Sequence, residues 1–173
     1  TARGAAVLGF SNFGRHHTYA LTPELSLDRV ALHDFLTRFN NVPVLVFGFT
    51  FIVWQALVQA CEREDVALKF PPDSVLIHGG GWKKMHENRA DNASFKHHIS
   101  ETLGINRVFN YYGMAEQVGS IFMECEHGHL HVPDYAQVII RDPLTLEELP
   151  LGKTGLIQVL SRLPRSYPGQ SLL

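Results

Sequence analysis

Two unbroken apolar runs of strand length, with a third strand pattern after them, constrain the fold of this chain more than any other feature. The runs are Pro43-Val44-Leu45-Val46-Phe47-Gly48 and Ser74-Val75-Leu76-Ile77-His78, and the third strand runs from Ile105 to Tyr112. A strand that is apolar on both faces is buried on both, as in parallel sheets. Between the strands the spacing turns helical. Thr50 caps a helix through Ile52, Trp54, Leu57 and Val58 to about Arg63, and Pro71-Pro72 break the chain before the next strand. Asn92 or Ser94 caps a second helix through Phe95, His98, Ile99, Thr102 and Leu103, closed by Gly104 where helices tend to end. An earlier helix is expected from Pro23 to Phe39, with Ser26 as N-cap and Asp28 in its first turn. Its Leu27, Val30, Ala31, Asp34, Phe35 and Arg38 recur at spacings of three and four, and Asn40-Asn41 stop it. Strand, helix, strand, helix, strand predicts a doubly wound α/β unit.

The flanks have a different character. Val7-Leu8-Gly9-Phe10 suggests a strand and Ser11-Asn12-Phe13-Gly14 a loop. His16 and His17 are adjacent, so they diverge on any regular element and are expected as exposed loop histidines. After Gly119, four short apolar segments follow: Ser120 to Cys125, Leu130 to Pro133, Ala136 to Arg141 and Gly155 to Ser161. Turns separate them, which predicts a smaller antiparallel β part. The expected division is therefore 1–116 and 117–173.

Composition excludes several classes. The 173 residues are 45% apolar and 18% charged, as in an ordinary globular chain. A formal net charge of −2 gives no electrostatic footprint for nucleic acid or an anionic membrane. The most apolar stretch, Leu45 to Val58, is interrupted by Gln55 and falls short of the ~18 residues of a membrane span. Cys61 and Cys125 make no disulfide framework, so a reducing cytoplasm is the expected setting.

Two phrases at the carboxyl ends of expected strands carry chemistry, where α/β sheets place their ligands. In Tyr112-Gly113-Met114-Ala115-Glu116 the chain is expected to turn at Gly113. Tyr112 offers a ring face for stacking on a flat heterocycle. Glu116 is a hard oxygen ligand of the kind that takes Mg²⁺ alongside phosphates. In His78-Gly79-Gly80-Gly81-Trp82, followed by Lys83 and Lys84, the glycines let backbone groups approach a nucleotide and put a lysine near phosphate. A tight turn at positive φ would explain the glycines alone. A lipase-type oxyanion loop would need a Gly-x-Ser-x-Gly turn downstream, and the chain has none. Cys125, His127, His129 and His131 alternate, but Gly128 is expected to turn the chain and break their common face.

Tyr112-Gly113-Met114-Ala115-Glu116 resembles the aromatic-Gly-x-Thr/Ser/Ala-Glu signature of the adenylate-forming superfamily. Several longer phrases are similar to the acyl-protein synthetases of bacterial bioluminescence. They are Val46-Phe47-Gly48-Phe49-Thr50-Phe51, Gly80-Gly81-Trp82-Lys83-Lys84, Tyr112 to Ser120, Arg141-Asp142-Pro143 and Ser166-Tyr167-Pro168-Gly169. The resemblance, which begins near residue 21, implies ATP-dependent activation of a long-chain fatty acid. The acyl-adenylate would then pass its acyl group to a protein thiol, feeding reduction to aldehyde. It implies ATP and Mg²⁺ as cofactors, and the acyl-transferase and fatty acid reductase components of a reductase complex as partners. It implies nucleotide contacts at Gly79, Gly80, Gly81, Trp82, Tyr111, Tyr112, Gly113, Met114 and Ala115. Lys83 and Glu116 would be catalytic, with Glu116 the metal ligand. Phe47, Phe49, Phe51, Trp54 and Trp82 are candidates for an apolar acyl tunnel.

The signature allows Ala at 115, where a Thr hydroxyl would contact phosphate, so that contact must come from elsewhere or be absent. The chain departs from the pattern elsewhere: no Ser/Thr/Gly-rich phosphate loop precedes residue 21. The resemblance implies a ribose-gripping acidic residue soon after the Tyr-Pro-Gly phrase and a C-terminal domain with a catalytic Lys and an acceptor Cys, and none of these falls within these 173 residues. Neither Cys61 nor Cys125 matches that acceptor. The chain is therefore expected to be the middle of a larger enzyme, inactive by itself. The alternatives are an acyl- or aryl-CoA ligase of the phenylacetate-CoA ligase type and a non-catalytic docking domain.

Overall fold

The computed structural model describes residues 2–66, 68–82, 91–114, 117, 120–163 and 170–172. They divide into two compact units, Thr1–Asn110 and Tyr111–Leu173. The first is α/β and the second antiparallel β, the fold class expected from the alternating pattern.

The first unit opens with helix α1 (Ala2–Phe10) and a 3₁₀ turn, Ser11–Phe13. The expected strand at Val7 to Phe10 is thus helical. A four-residue apolar run is ambiguous between the two periods, and here Phe10 stacks on Phe47 at 4.2 Å from one helical face. Helix α2 (Arg29–Arg38) begins later than expected, and its N-cap is Asp28, whose carboxylate accepts from Ala31 N at 2.9 Å. Ser26 is not the cap because residues 21–27 are already committed to a tight turn. Leu21 bridges Leu27, Thr22 N donates to Ser26 O at 2.9 Å, and Leu25 stands at φ +64°. The inward face of α2 carries Leu32 rather than Val30, which is 73% exposed.

Strands β1 (Leu45–Phe49) and β2 (Val75–Gly79) pair in parallel, from Leu45 opposite Val75 to Phe49 opposite Gly79. Every residue of β1 is half-buried rather than fully buried, because β1 stands at the edge of its sheet, beside β2. The helix after β1 is not uniform. Helix α3 (Thr50–Ile52) passes through a π-helical segment, Val53–Val58, into α4 (Gln59–Arg63). Helix α5 (Asn92–Leu103) takes Asp91 as N-cap, not Asn92 or Ser94, with its carboxylate accepting from Ser94 N at 2.7 Å. It ends as expected at Gly104, in the left-handed region at φ +73°. Trp54, Leu57 and Val58 from the π segment, Leu76 from β2, and Phe95, Ile99 and Leu103 from α5 form the core of this unit.

Strand β3 (Arg107–Gly113) carries the chain from one unit into the other. In the second unit its last residues pair antiparallel with β4 (Ile121–Glu124), which pairs with β5 (Leu130–His131). A separate antiparallel sheet has the order β6 (Ala136–Arg141), β7 (Leu156–Ser161), β8 (Gln170–Leu172). Arg141-Asp142-Pro143 opens the turn out of β6. There Asp142 accepts from the backbone N–H groups of Leu144 at 2.8 Å and Thr145 at 3.0 Å. The Thr145 amide first, then that of Leu144, hold its carboxyl below the usual carboxylate range. Among the described residues no helix is long and apolar enough to cross a membrane.

The capping geometry has a measurable consequence. Asp28→Ala should lower stability by about 1 kcal/mol in chemical denaturation, while Ser26→Ala should stay within about 0.5 kcal/mol. Equal losses would return the cap to Ser26.

Candidate functional site

The candidate residues of the first unit lie at the carboxyl end of the parallel pair. β2 ends in His78 and Gly79, and β1 ends opposite it at Phe49, so Thr50 is the first residue beyond the sheet. Thr50 is 4% exposed and His78 3%. The Thr50 hydroxyl does not cap its own helix as expected. It donates to Gly79 O at 3.0 Å and lies 2.9 Å from His78 Nδ1. Past Gly79 the chain turns through Gly80 at φ +78° and Gly81 at φ +62°. Both need glycine for conformation, and Gly80 also for space, since a Cβ there would lie 2.8 Å from the Phe49 ring. Gly79 itself is ordinary strand.

Trp82 closes this loop against an aromatic cluster. Its ring meets Trp54 and Phe95 edge-on, each at 5.8 Å, while Trp54 also meets His98 at 5.0 Å and Phe95 lies 4.5 Å from His78. His98 Nδ1 lies 2.8 Å from Ser94 O. The packing gives Trp54 and Trp82 structural contacts whatever else they do. Of the other acyl-tunnel candidates, Phe51 lines a cavity of about 260 Å³ together with Leu25, Leu27, Ile52, Gln55 and Arg63. Lys83 lies outside the described residues.

In the second unit Tyr111, Tyr112 and Gly113 pair with Met123, Phe122 and Ile121. Tyr112 is half-buried, and its ring centroid is 5.8 Å from that of Phe122 at 45°. Burial pushes the Tyr111 phenol above its ordinary pKa. The turn expected at Gly113 comes after it. Gly113 is still strand, and the bend is closed by Gln117 N donating to Met114 O at 3.1 Å and Ser120 N to Gln117 O at 3.2 Å. Ala115 and Glu116 lie outside the described residues.

The β4–β5 hairpin brings together what a broken face was expected to separate. Cys125 N donates to His129 O at 2.9 Å, Gly128 N donates to Cys125 O at 3.0 Å, and Met123 pairs with His131. Residues two apart share a face, so the turn folds His131 back onto the side of Cys125. The His129 backbone, followed by the His131 side chain, holds the Cys125 thiol below the ordinary range against an opposing effect of burial, with a smaller contribution from the His127 backbone. Burial, foremost, raises that of Cys61. Among the described residues no three His, Cys, Asp or Glu side chains gather into a metal site.

The missed residues are Thr50 as a cross-strand donor and His131 as a partner of Cys125. Both contacts depend on strand register; the turn at Gly128 is a sequence signal for the second, and nothing in the sequence points to the first. Because the fold lowers the Cys125 thiol and raises that of Cys61, alkylation of Cys125 by iodoacetamide should persist to lower pH than that of Cys61. His131→Asn should move the Cys125 midpoint upward. Coincident profiles for the two cysteines would contradict the hairpin geometry.

Comparison with known proteins agrees with this architecture. The family model described as acyl-protein synthetase, LuxE, matches residues 2–173. A long-chain-fatty-acid–luciferin-component ligase of Aliivibrio fischeri is 24% identical over 147 residues, covering 84% of this chain and 39% of that protein. One of Vibrio harveyi is 30% identical over 99 residues, covering 56% and 26%. The chain thus spans well under half the length of these relatives. Among solved structures, ATP-bound MatB from Rhodopseudomonas palustris superposes with a TM-score of 0.50 at 19% identity, over 75% of this chain and 24% of that one. The ATP-bound RpMatB-BxBclM chimera B1 gives 0.51 at 18% identity over the same shares. At such identities the likeness is one of fold.

Proposed function

The chain belongs to the acyl-protein synthetase (LuxE) family, and we propose that the full-length protein activates a long-chain fatty acid with ATP and hands the acyl group to a protein thiol. The observation that carries this reading is the family match across residues 2–173. The names of the two bacterial relatives support the class of acid.

In the proposed reaction a carboxylate oxygen of the acid attacks the α-phosphorus of ATP, the bond to the bridging oxygen breaks, and pyrophosphate leaves. A thiolate of the acceptor protein then attacks the acyl carbon, and AMP departs. The acceptor is a component of a fatty acid reductase complex that reduces the acyl group to aldehyde. Such transfers need positioning and charge neutralisation more than covalent help. Tyr112 stacks on adenine, flanked by Tyr111, Gly113 and Met114. Gly79, Gly80 and Gly81 line the ligand with backbone, Trp82 anchors their far end, and Lys83 approaches phosphate. Ala115 supplies no hydroxyl, so that phosphate contact either falls to another group or is not made. The Glu116 carboxylate suits Mg²⁺, which when bound would neutralise phosphate charge and takes few protein ligands beside phosphates. Each methylene of the acyl chain buried contributes about 0.8 kcal/mol, which favours long chains.

The test is fatty-acid-dependent ATP–pyrophosphate exchange by the full-length protein across chain lengths. Exchange should peak with long-chain acids, fall by roughly 100-fold in Glu116→Gln, and be absent from residues 1–173 alone. No exchange with any acid would overturn the reading.

A further inference from the structure

We propose that Thr50 is a positioning residue that aims the backbone of the glycine loop, acting through the Gly79 carbonyl and the His78 imidazole. The proposal deepens the reading above, because it rests on Gly79 to Gly81 being a nucleotide-binding loop.

A threonine hydroxyl has one proton. A carbonyl oxygen can only accept, so the 3.0 Å contact with Gly79 O takes that proton. The 2.9 Å contact with His78 Nδ1 must then run the other way, with Nδ1–H donating to the hydroxyl oxygen. The geometry therefore assigns the His78 tautomer: Nδ1 carries the proton, and Nε2 is the acceptor when the ring is neutral. Phe95, 4.5 Å from the imidazole, holds the ring in place.

The consequence for the loop follows from the planarity of the peptide bond. The Gly79 carbonyl and the Gly80 N–H share one rigid plane and point in opposite directions. Fixing Gly79 O on Thr50 fixes the direction of Gly80 N–H, the first donor of the loop. Gly80 and Gly81 both stand at positive φ, where glycine has the widest choice of conformations. The Phe49 ring, against the place of a Gly80 Cβ, blocks one side of that choice. The last residue of β1 and the first of α3 thus shape a loop that follows β2, about 30 residues later in sequence.

The experiment compares Thr50→Val, which removes the hydroxyl, with Thr50→Ser, which keeps it, in the full-length protein. In Thr50→Val the KM for ATP in pyrophosphate exchange should rise about tenfold, the worth of roughly one buried hydrogen bond. The KM for the fatty acid should stay within about twofold, and Thr50→Ser should restore the wild-type value. Imidazole ¹⁵N shifts should show His78 protonated on Nδ1 in the wild type and in Thr50→Ser. An unchanged KM for ATP in Thr50→Val beside an active wild type overturns this proposal alone. A wild type without exchange overturns the nucleotide reading and this proposal with it. Because the tautomer is read on the unaltered protein, a poorly folding Thr50→Val gives no shelter: His78 protonated on Nε2 also overturns it.

Discussion

The parallel register that sets Phe49 opposite Gly79 is the constraint on which the rest of this region depends. Side chains alternate between the faces of a sheet, so a slip of one residue would turn Phe49 away from Gly80 and carry Thr50 off the Gly79 carbonyl. Hydrophobic burial sets the register. Leu76, wholly buried near the start of β2, and the core residues of the π segment and α5 fill one face of the pair. That face accepts only one alignment of the strands without exposing apolar surface. The polar bond at the carboxyl end follows from an alignment that the apolar core has already chosen.

The elements were legible where burial alone determines them. Leu45 to Phe49 and Val75 to Gly79 stood out because their apolar runs match a buried strand in length, and Gly104 because a left-handed C-cap suits few other residues. Cap identities were not legible at this precision. Ser26 and Asp28 are both good N-cap types, and the choice between them was made by a turn at 21–27 that required Leu25 to adopt a positive φ. The π-helical stretch Val53–Val58 was invisible for a related reason. Its side chains satisfy an ordinary helical pattern, and the wider turn shows only in the backbone.

The site divides along the same line. Gly80 and Gly81 could be read from sequence as turn glycines because positive φ has few other solutions. Thr50 with His78, and Cys125 with His131, could not. In each pair the partners are distant in sequence or divided by a turn, and only cross-strand register makes them neighbours. Reading Thr50 as a helix cap was the local use of a hydroxyl before a helix, in which its oxygen accepts from a backbone N–H of the first turn. The protein uses the non-local one.

That choice bears on how a glycine loop is made useful. Glycine gives the backbone access to positive φ and close approach, but it loses more conformational freedom on ordering than any other residue. A loop of three glycines left to itself would spend binding energy on becoming ordered. Here the loop is held from outside at both ends. At Gly79 a buried hydroxyl grips the carbonyl, and at Trp82 the indole is packed edge-on between Trp54 and Phe95. Only Gly80 and Gly81 remain between these anchors, and the Phe49 ring limits the first of them. In the proposed nucleotide loop, backbone donors would thereby be aimed before a ligand arrives, and the ordering cost would be met in folding instead of in binding.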